Sequence, residues 1–186
     1  MATLTAADAR QELARRELAR RHLIDWCTYA PPTEQGAYVP QAWHRDLAER
    51  LERVYRETAE RRHEAVRRIH IYAIDALPQE GESEQVSRRG PAWAMATLGL
   101  SFAVTSYSGS LALEHSERTR NMLQSPEAKA VWPHVAAGAA SVKRSERVSD
   151  WSIPWKDSTR EGPQFIARGR RGALTGRSPD IIVTDD

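Results

Sequence analysis

The sequence predicts an α/β fold: a mainly parallel sheet with flanking helices, preceded by two leading N-terminal helices. Three observations carry this. Two runs rich in β-branched and aromatic residues, "RIHIYAID" (68–75) and "LSFAVTSYS" (100–108), are each followed by a stretch of helical character. A third short apolar run closes the chain in "GRSPDIIVTDD". Strands that alternate with helices call for crossover connections, and so for parallel pairing.

The first element, "TAADARQELARRELARRHLIDW" (5–26), opens with Thr5 and Asp8 at capping-box spacing, and Leu13, Leu18, Leu23 and Ile24 predict an amphipathic helix. "YAPPTEQGAYVP" breaks it. A second helix carries Trp43, Leu47, Leu51, Val54, Tyr55 and Thr58 at helical spacing. "RIHIYAID" then predicts a buried strand. Ser83 to Thr97 reads as a helix that Pro91 should kink. After the strand "LSFAVTSYS", Ser110 to Gln124 places Leu111, His115, Thr119 and Met122 on one helical face. "SPEAKAVW" starts a short helix with Ser125 as cap and Pro126 in its first position. Farther on, "RVSDWSIPW" and "PQFIARG" are candidate short strands, with "KDSTREG" as the turn between them.

Composition narrows the classes. A chain of 186 residues, 40% hydrophobic with six Trp, suits one domain with a real core. The net charge is only +2 because arginines interleave with acids, so no strong single-sign field is implied. "ARRELARR" and "ERRHEAVRR" read as solvated helix faces, with a phosphate-binding stripe as the alternative. Cys27 is the only cysteine, which excludes an internal disulfide and a four-cysteine metal site. The N-terminus lacks an apolar signal core and no run approaches a membrane span, so a soluble intracellular protein is expected.

Two stretches carry candidate chemistry. A strand, a tight glycine loop and a helix make an anion site, because backbone N–H groups and the positive helix end point at the ligand. "PQEGESE" (78–84) follows the first predicted strand in this way, and Asp185-Asp186 end the last one. His44 and His115 read as helix-face packing, since neither has a second ligand at metal spacing.

From about His22 onward the chain resembles the ATPase half of tailed-phage terminase large subunits, the DNA-packaging motors. The stretches "RRHLIDW", "PQAWHRDLAERLERV", "GESEQVSRRGPAWAM", "VTSYSGSLALEHSERTRNMLQSPEAKAVWP" and "ALTGRSPDIIVTDD" carry the resemblance, in that order and spacing. It implies a P-loop NTPase-like fold, with residues 1–64 as a helical lead-in and 65–186 as a partial ATPase core, the two forming one structural unit. A further strand and a nuclease domain would follow Asp186 in the family, so an incomplete sheet is expected, open to completion by a separately encoded C-terminal half.

The resemblance also assigns roles. Asp185 would hold magnesium through water, Ser83 would be a metal ligand, and Asp186 would polarise the attacking water. Gly81, Glu82, Ser83 and Gln79 would line the phosphates; Gln41 would contact adenine, with a plain surface glutamine as the alternative. Thr175, Gly176 and Arg177 would form the loop before the acidic strand. The loop departs from the family at two points: Gln79 stands where its arginine would be, and Glu82 where its lysine would be. ATP and magnesium are the implied cofactors. Double-stranded DNA, a small terminase subunit and a portal are the implied partners, in the cytoplasm of a bacterial host. The loop charges point to weak or absent hydrolysis. The alternatives are a non-catalytic prophage remnant or accessory binding piece, and a small Arg-rich DNA-binding regulator.

Overall fold

A computed structural model of the chain describes residues 5–33, 36–64, 71–75, 81–138, 148–154, 163–174 and 178–185. Its architecture is α/β, with a helical layer packed on one face of a four-stranded mixed sheet.

The N-terminal region forms three α-helices rather than two: α1 (Ala6–Arg21), α2 (Leu23–Tyr29) and α3 (Ala42–Glu60). The Thr5–Asp8 capping box is present. The predicted single helix breaks at His22, whose backbone is extended, and the Glu52 carboxylate of α3 accepts the Leu23 N–H at 2.9 Å. That bond supplies a partner for one of the free donors at the start of α2. The break turns Leu23, Trp26 and Cys27 into the core, but it leaves α1 without the expected apolar face. Ala19 is its one buried residue, whereas Leu13 and Leu18 are 62% and 47% exposed. Sequence spacing had treated as one helix what a partner from α3 splits in two.

A 3₁₀ turn (Arg61–His63) follows α3. Residues 82–98 form a continuous helical rod of unusual composition: Glu84–Arg89 is π-helical and runs directly into α4 (Gly90–Leu98). This is how Pro91 is accommodated. Its ring would collide with a carbonyl one α-turn back, and the wider π-turn immediately before it opens that space. Gly99, with φ +66°, ends α4 by offering its N–H to the Ala94 and Met95 carbonyls.

Beyond α4 come β1 (Phe102–Ser106), α5 (Gly109–Gln124), α6 (Pro126–Val131), α7 (Pro133–Gly138), β2 (Asp150–Trp151), β3 (Phe165–Gly169) and β4 (Ile181–Asp185). Ser108 and Ser125 cap α5 and α6 through their hydroxyls. The strand order is β2-β3-β1-β4, with β1 parallel to both β3 and β4, and β2 antiparallel to β3. Phe102 lies level with Phe165 and Ile181, and Ser106 with Gly169 and Asp185. The predicted strand "RIHIYAID" is corrected where it can be seen: Ile71–Asp75 pairs with no strand among the described residues and is exposed throughout. A strand needs a ladder partner for its backbone groups, and among the described residues β4 pairs with β1 alone. Residues 68–70 of that run, and the "KDSTREG" turn, lie outside the described residues.

Aromatic pairs lie within the helical layer, within the sheet and between the two. Trp26 meets Trp132 edge-on at 4.5 Å, Tyr55 meets Phe102 at 5.5 Å, and Trp151 stacks on Phe165 at 5.0 Å. Each pair adds about 0.5–1.5 kcal/mol to the area it buries. Seven of the nine residues of α4, from Gly90 to Ala96, are buried, and Trp93 donates its indole N–H to the Ala19 carbonyl. Helix α4 is therefore the central rod of the helical layer.

Gly90 marks its tightest contact. A Cβ there would stand 2.7 Å from the Gln85 carbonyl oxygen and 2.7 Å from the Tyr55 hydroxyl. Gly90→Ala gains about 1 kcal/mol of helix propensity but overpacks a site walled by backbone, at about 1–3 kcal/mol. A net loss is expected, read as a lower urea midpoint; an unchanged or raised midpoint would contradict this packing.

Candidate functional site

The site forms where the start of the helical rod meets the C-terminal end of β4. Gly81 has φ +88°, a left-handed conformation that favours glycine and lets the chain turn into the helix at residue 82. One turn apart on that helix, Ser83 and Ser87 face β4. The Ser83 hydroxyl donates to Asp185 Oδ1 at 3.0 Å, and the Ser87 hydroxyl donates to Oδ2 at 2.5 Å. Ser83 and Asp185, assigned to one metal from sequence, are thus in direct contact although about a hundred residues separate them.

A third group reaches the same carboxylate. His115 of α5, buried, places Nε2 3.4 Å from Asp185 Oδ2. Its other nitrogen, Nδ1, accepts from Arg88 Nε at 3.0 Å, which assigns the ring proton to Nε2, facing the carboxylate. Arg88 also donates to Glu84 at 3.0 Å and to Glu114 at 3.2 Å, while Arg89 donates to the other Glu84 oxygen at 2.8 Å. Burial lowers the His115 pKa most, and the Arg88 charge lowers it further, against the opposing pull of Asp185. The imidazole is neutral at pH 7.

The linkage has a definite sign. A folded-state pKa below the ordinary 6.5 means that the unfolded chain binds the proton better. The contribution of neutral His115 is complete above pH 6.5 and is lost as pH falls below it. The facing groups, Asp185, Arg88, Glu114 and Arg118, set how far the loss extends. Unfolding free energy of the native chain should fall with pH below about 6.5 by up to about 1.4 kcal/mol per unit more than in His115→Gln. Parallel curves for the two proteins would refute the assignment.

The loop residue beside Ser83 is in a different state. Glu82 Oε2 is buried and has no hydrogen-bond partner among the described residues. A carboxylate at this position would oppose a phosphate. Gln41 stands at the start of α3 and is exposed; its backbone N–H donates to His44 Nδ1 at 3.0 Å. His44 Nε2 lies 3.5 Å from where a Gly81 Cβ would be, so the start of α3 borders the loop. His44 itself stacks on Trp43 at 3.7 Å between centroids, as its packing role anticipates. Gln79, Asp186 and the Thr175–Arg177 loop lie outside the described residues.

What this arrangement can do follows from the donors and acceptors. Both Asp185 oxygens already accept hydroxyl protons, and the lone pair of His115 is held by Arg88, so neither is a free general base here. The serines donate to the carboxylate and not to the imidazole, which excludes a Ser-His-Asp nucleophile arrangement. A hydroxyl and a carboxylate side by side are hard oxygen donors suited to magnesium. The donor set fits the metal; Glu82 does not fit a triphosphate.

Sequence reading missed Ser87 and His115 as partners of Asp185, and Arg88 as the partner of His115. The helical period had placed His115 on the inward face of α5, but nothing in the sequence says what that face meets. The lone Cys27 is no nucleophile: burial pushes its thiol up to about 12. The arginines of α1 and α3 pair with acids one turn away, as in Arg16–Glu12, Arg21–Glu17 and Arg50–Asp46. Among the described residues, no helix is long and apolar enough to cross a membrane. No protein-family model, curated protein or solved structure matches the chain.

Proposed function

We propose that this chain is the ATPase-domain portion of a terminase-large-subunit-like motor for packaging viral double-stranded DNA, with a phosphate loop degenerate enough to leave weak or no intrinsic ATP hydrolysis. The observation that carries this reading is the 3.0 Å hydrogen bond from Ser83 to Asp185, which joins the glycine-loop serine to the acidic strand end. In this reading Ser83 and Asp185 hold magnesium, Asp186 orients water, Gly81 lets the backbone approach the phosphates, and Gln41 borders the base. Bound magnesium would supply charge stabilisation to the transferring phosphoryl group. The partners of this reading are double-stranded DNA, a small terminase subunit, a portal, and a separately encoded C-terminal half, in the cytoplasm of a bacterial host.

A second reading, a non-catalytic remnant or accessory binding piece, is favoured by Glu82, whose buried oxygen has no hydrogen-bond partner among the described residues. The Arg-rich DNA-binding regulator has less support, because the helix arginines are matched by neighbouring acids. Magnesium-dependent binding of a fluorescent ATP analogue, to the native chain and to a Gln79→Arg, Glu82→Lys double variant, separates the readings. Binding by the variant alone supports an intact ATPase fold silenced by loop charge. Tight binding by the native chain overturns the degenerate-loop reading, and binding by neither overturns the nucleotide site itself.

A further inference from the structure

The two oxygens of the Asp185 carboxylate have different surroundings. Oδ1 accepts from the half-buried Ser83, two residues beyond the Gly81 turn. Oδ2 faces two fully buried groups, the Ser87 hydroxyl at 2.5 Å and His115 Nε2 at 3.4 Å.

The ring of His115 is oriented by what stands behind it. A guanidinium has donors and no acceptor, so the Nδ1 that Arg88 Nε meets at 3.0 Å must be the bare nitrogen, and Nε2 carries the proton toward Oδ2. Arg88 is fixed in turn by Glu84 at 3.0 Å and Glu114 at 3.2 Å. Packing alone does not account for a cation set behind a neutral ring. An aliphatic side chain would fill the same space without taking a guanidinium out of water.

We propose that Arg88 and His115 are positioning residues for Asp185: together with Ser87 they hold Oδ2, and so leave Oδ1, beside the Ser83 hydroxyl, as the oxygen presented to a divalent cation. The inference rests on the metal reading of Ser83 and Asp185 and assigns each carboxylate oxygen its part in it. The terminal torsion of an aspartate is broad, so donors gathered on one oxygen decide which oxygen faces the cation. Groups placed behind a metal-holding side chain in this way are worth about 10–100-fold in metal affinity.

Binding of manganese(II) to the full chain, followed by the paramagnetic signal of the free ion, is the first arm. His115→Leu, Arg88→Met and Ser87→Ala should each weaken binding about tenfold. His115→Gln should recover most of the loss, because its amide returns an N–H donor to the same place. Metal-free thermal unfolding of each variant separates the site from the fold. The second arm needs no metal: nitrogen NMR shifts of the His115 ring should place the proton on Nε2 in the native chain and move it toward Nδ1 in Arg88→Met. A proton on Nδ1 in the native chain would overturn the inference. So would variants that melt earlier yet bind manganese as tightly as the native chain, since that is the pattern of a purely structural role. A native chain that binds no manganese would overturn the metal reading itself, and this inference with it.

Discussion

The Gln79→Arg, Glu82→Lys double variant is expected to bind a magnesium–ATP analogue about a thousandfold or more tightly than the native chain. Two like charges about 4 Å apart at an effective dielectric of about 20 repel by roughly 4 kcal/mol, and every 1.4 kcal/mol is tenfold in affinity. Glu82→Lys removes that repulsion and adds an attraction of similar size, so screening by magnesium can halve the effect and still leave about three decades. Gln79→Arg adds a second cation to the same loop. Helix position strengthens the argument, since the rod starts at residue 82 and its positive end already favours an anion. Titration with the analogue measures the gain. Ser83→Ala in the double variant supplies the control, because it should reduce the magnesium dependence of binding while the loop cations remain. A gain below tenfold would mean that loop charge is not what limits the site.

Arg89→Ala should be the most destabilising single change near the site, at about 3–5 kcal/mol. Its side chain is fully buried and all of its bonds are specific: to Glu84 at 2.8 Å, to the Cys27 carbonyl at 2.7 Å and to the Pro31 carbonyl at 3.1 Å. The guanidinium also lies 5.1 Å from the centre of the Tyr38 ring. Removing it leaves two carbonyls without a donor and Glu84 with Arg88 alone. Against a total stability of about 5–15 kcal/mol that is a large fraction. Arg89→Lys should recover only part of the loss, because one ammonium cannot reproduce a planar fork aimed at three acceptors. Urea unfolding gives the number, and a cost below about 1 kcal/mol would show that the buried charge is dispensable.

The elements legible in the sequence were those whose signals are local. Thr5, Ser125 and Pro126 cap or start helices because their side chains act on adjacent backbone, and the runs at 102–106, 165–169 and 181–185 are strands by composition. What failed was decided at a distance. The split at His22 depends on Glu52, about thirty residues away, and whether Ile71–Asp75 joins the sheet depends on which strands meet there. Pro91 reads as a kink in its helix, and the structure places a π-helical turn directly before it. At the site, the pairing of Ser83 with Asp185 was anticipated through resemblance. The shell around it was not, because Ser87, Arg88 and His115 come from two helices whose approach no sequence period specifies.

The bonds from Arg89 to the last turn of α2 and to Pro31 just beyond it bear on how the molecule opens. Together with the Trp93 indole on Ala19 and the Tyr38 hydroxyl on Gln85, they fasten the helical lead-in to the rod that presents Ser83. Residues 6–33, 36–38 and 83–98 are therefore expected to open together, with similar hydrogen-exchange protection. Gly81, at the start of the rod, is the leading edge of that unit. Loosening the first helices is expected to weaken the Ser83 and Ser87 contacts to the carboxylate at the end of β4.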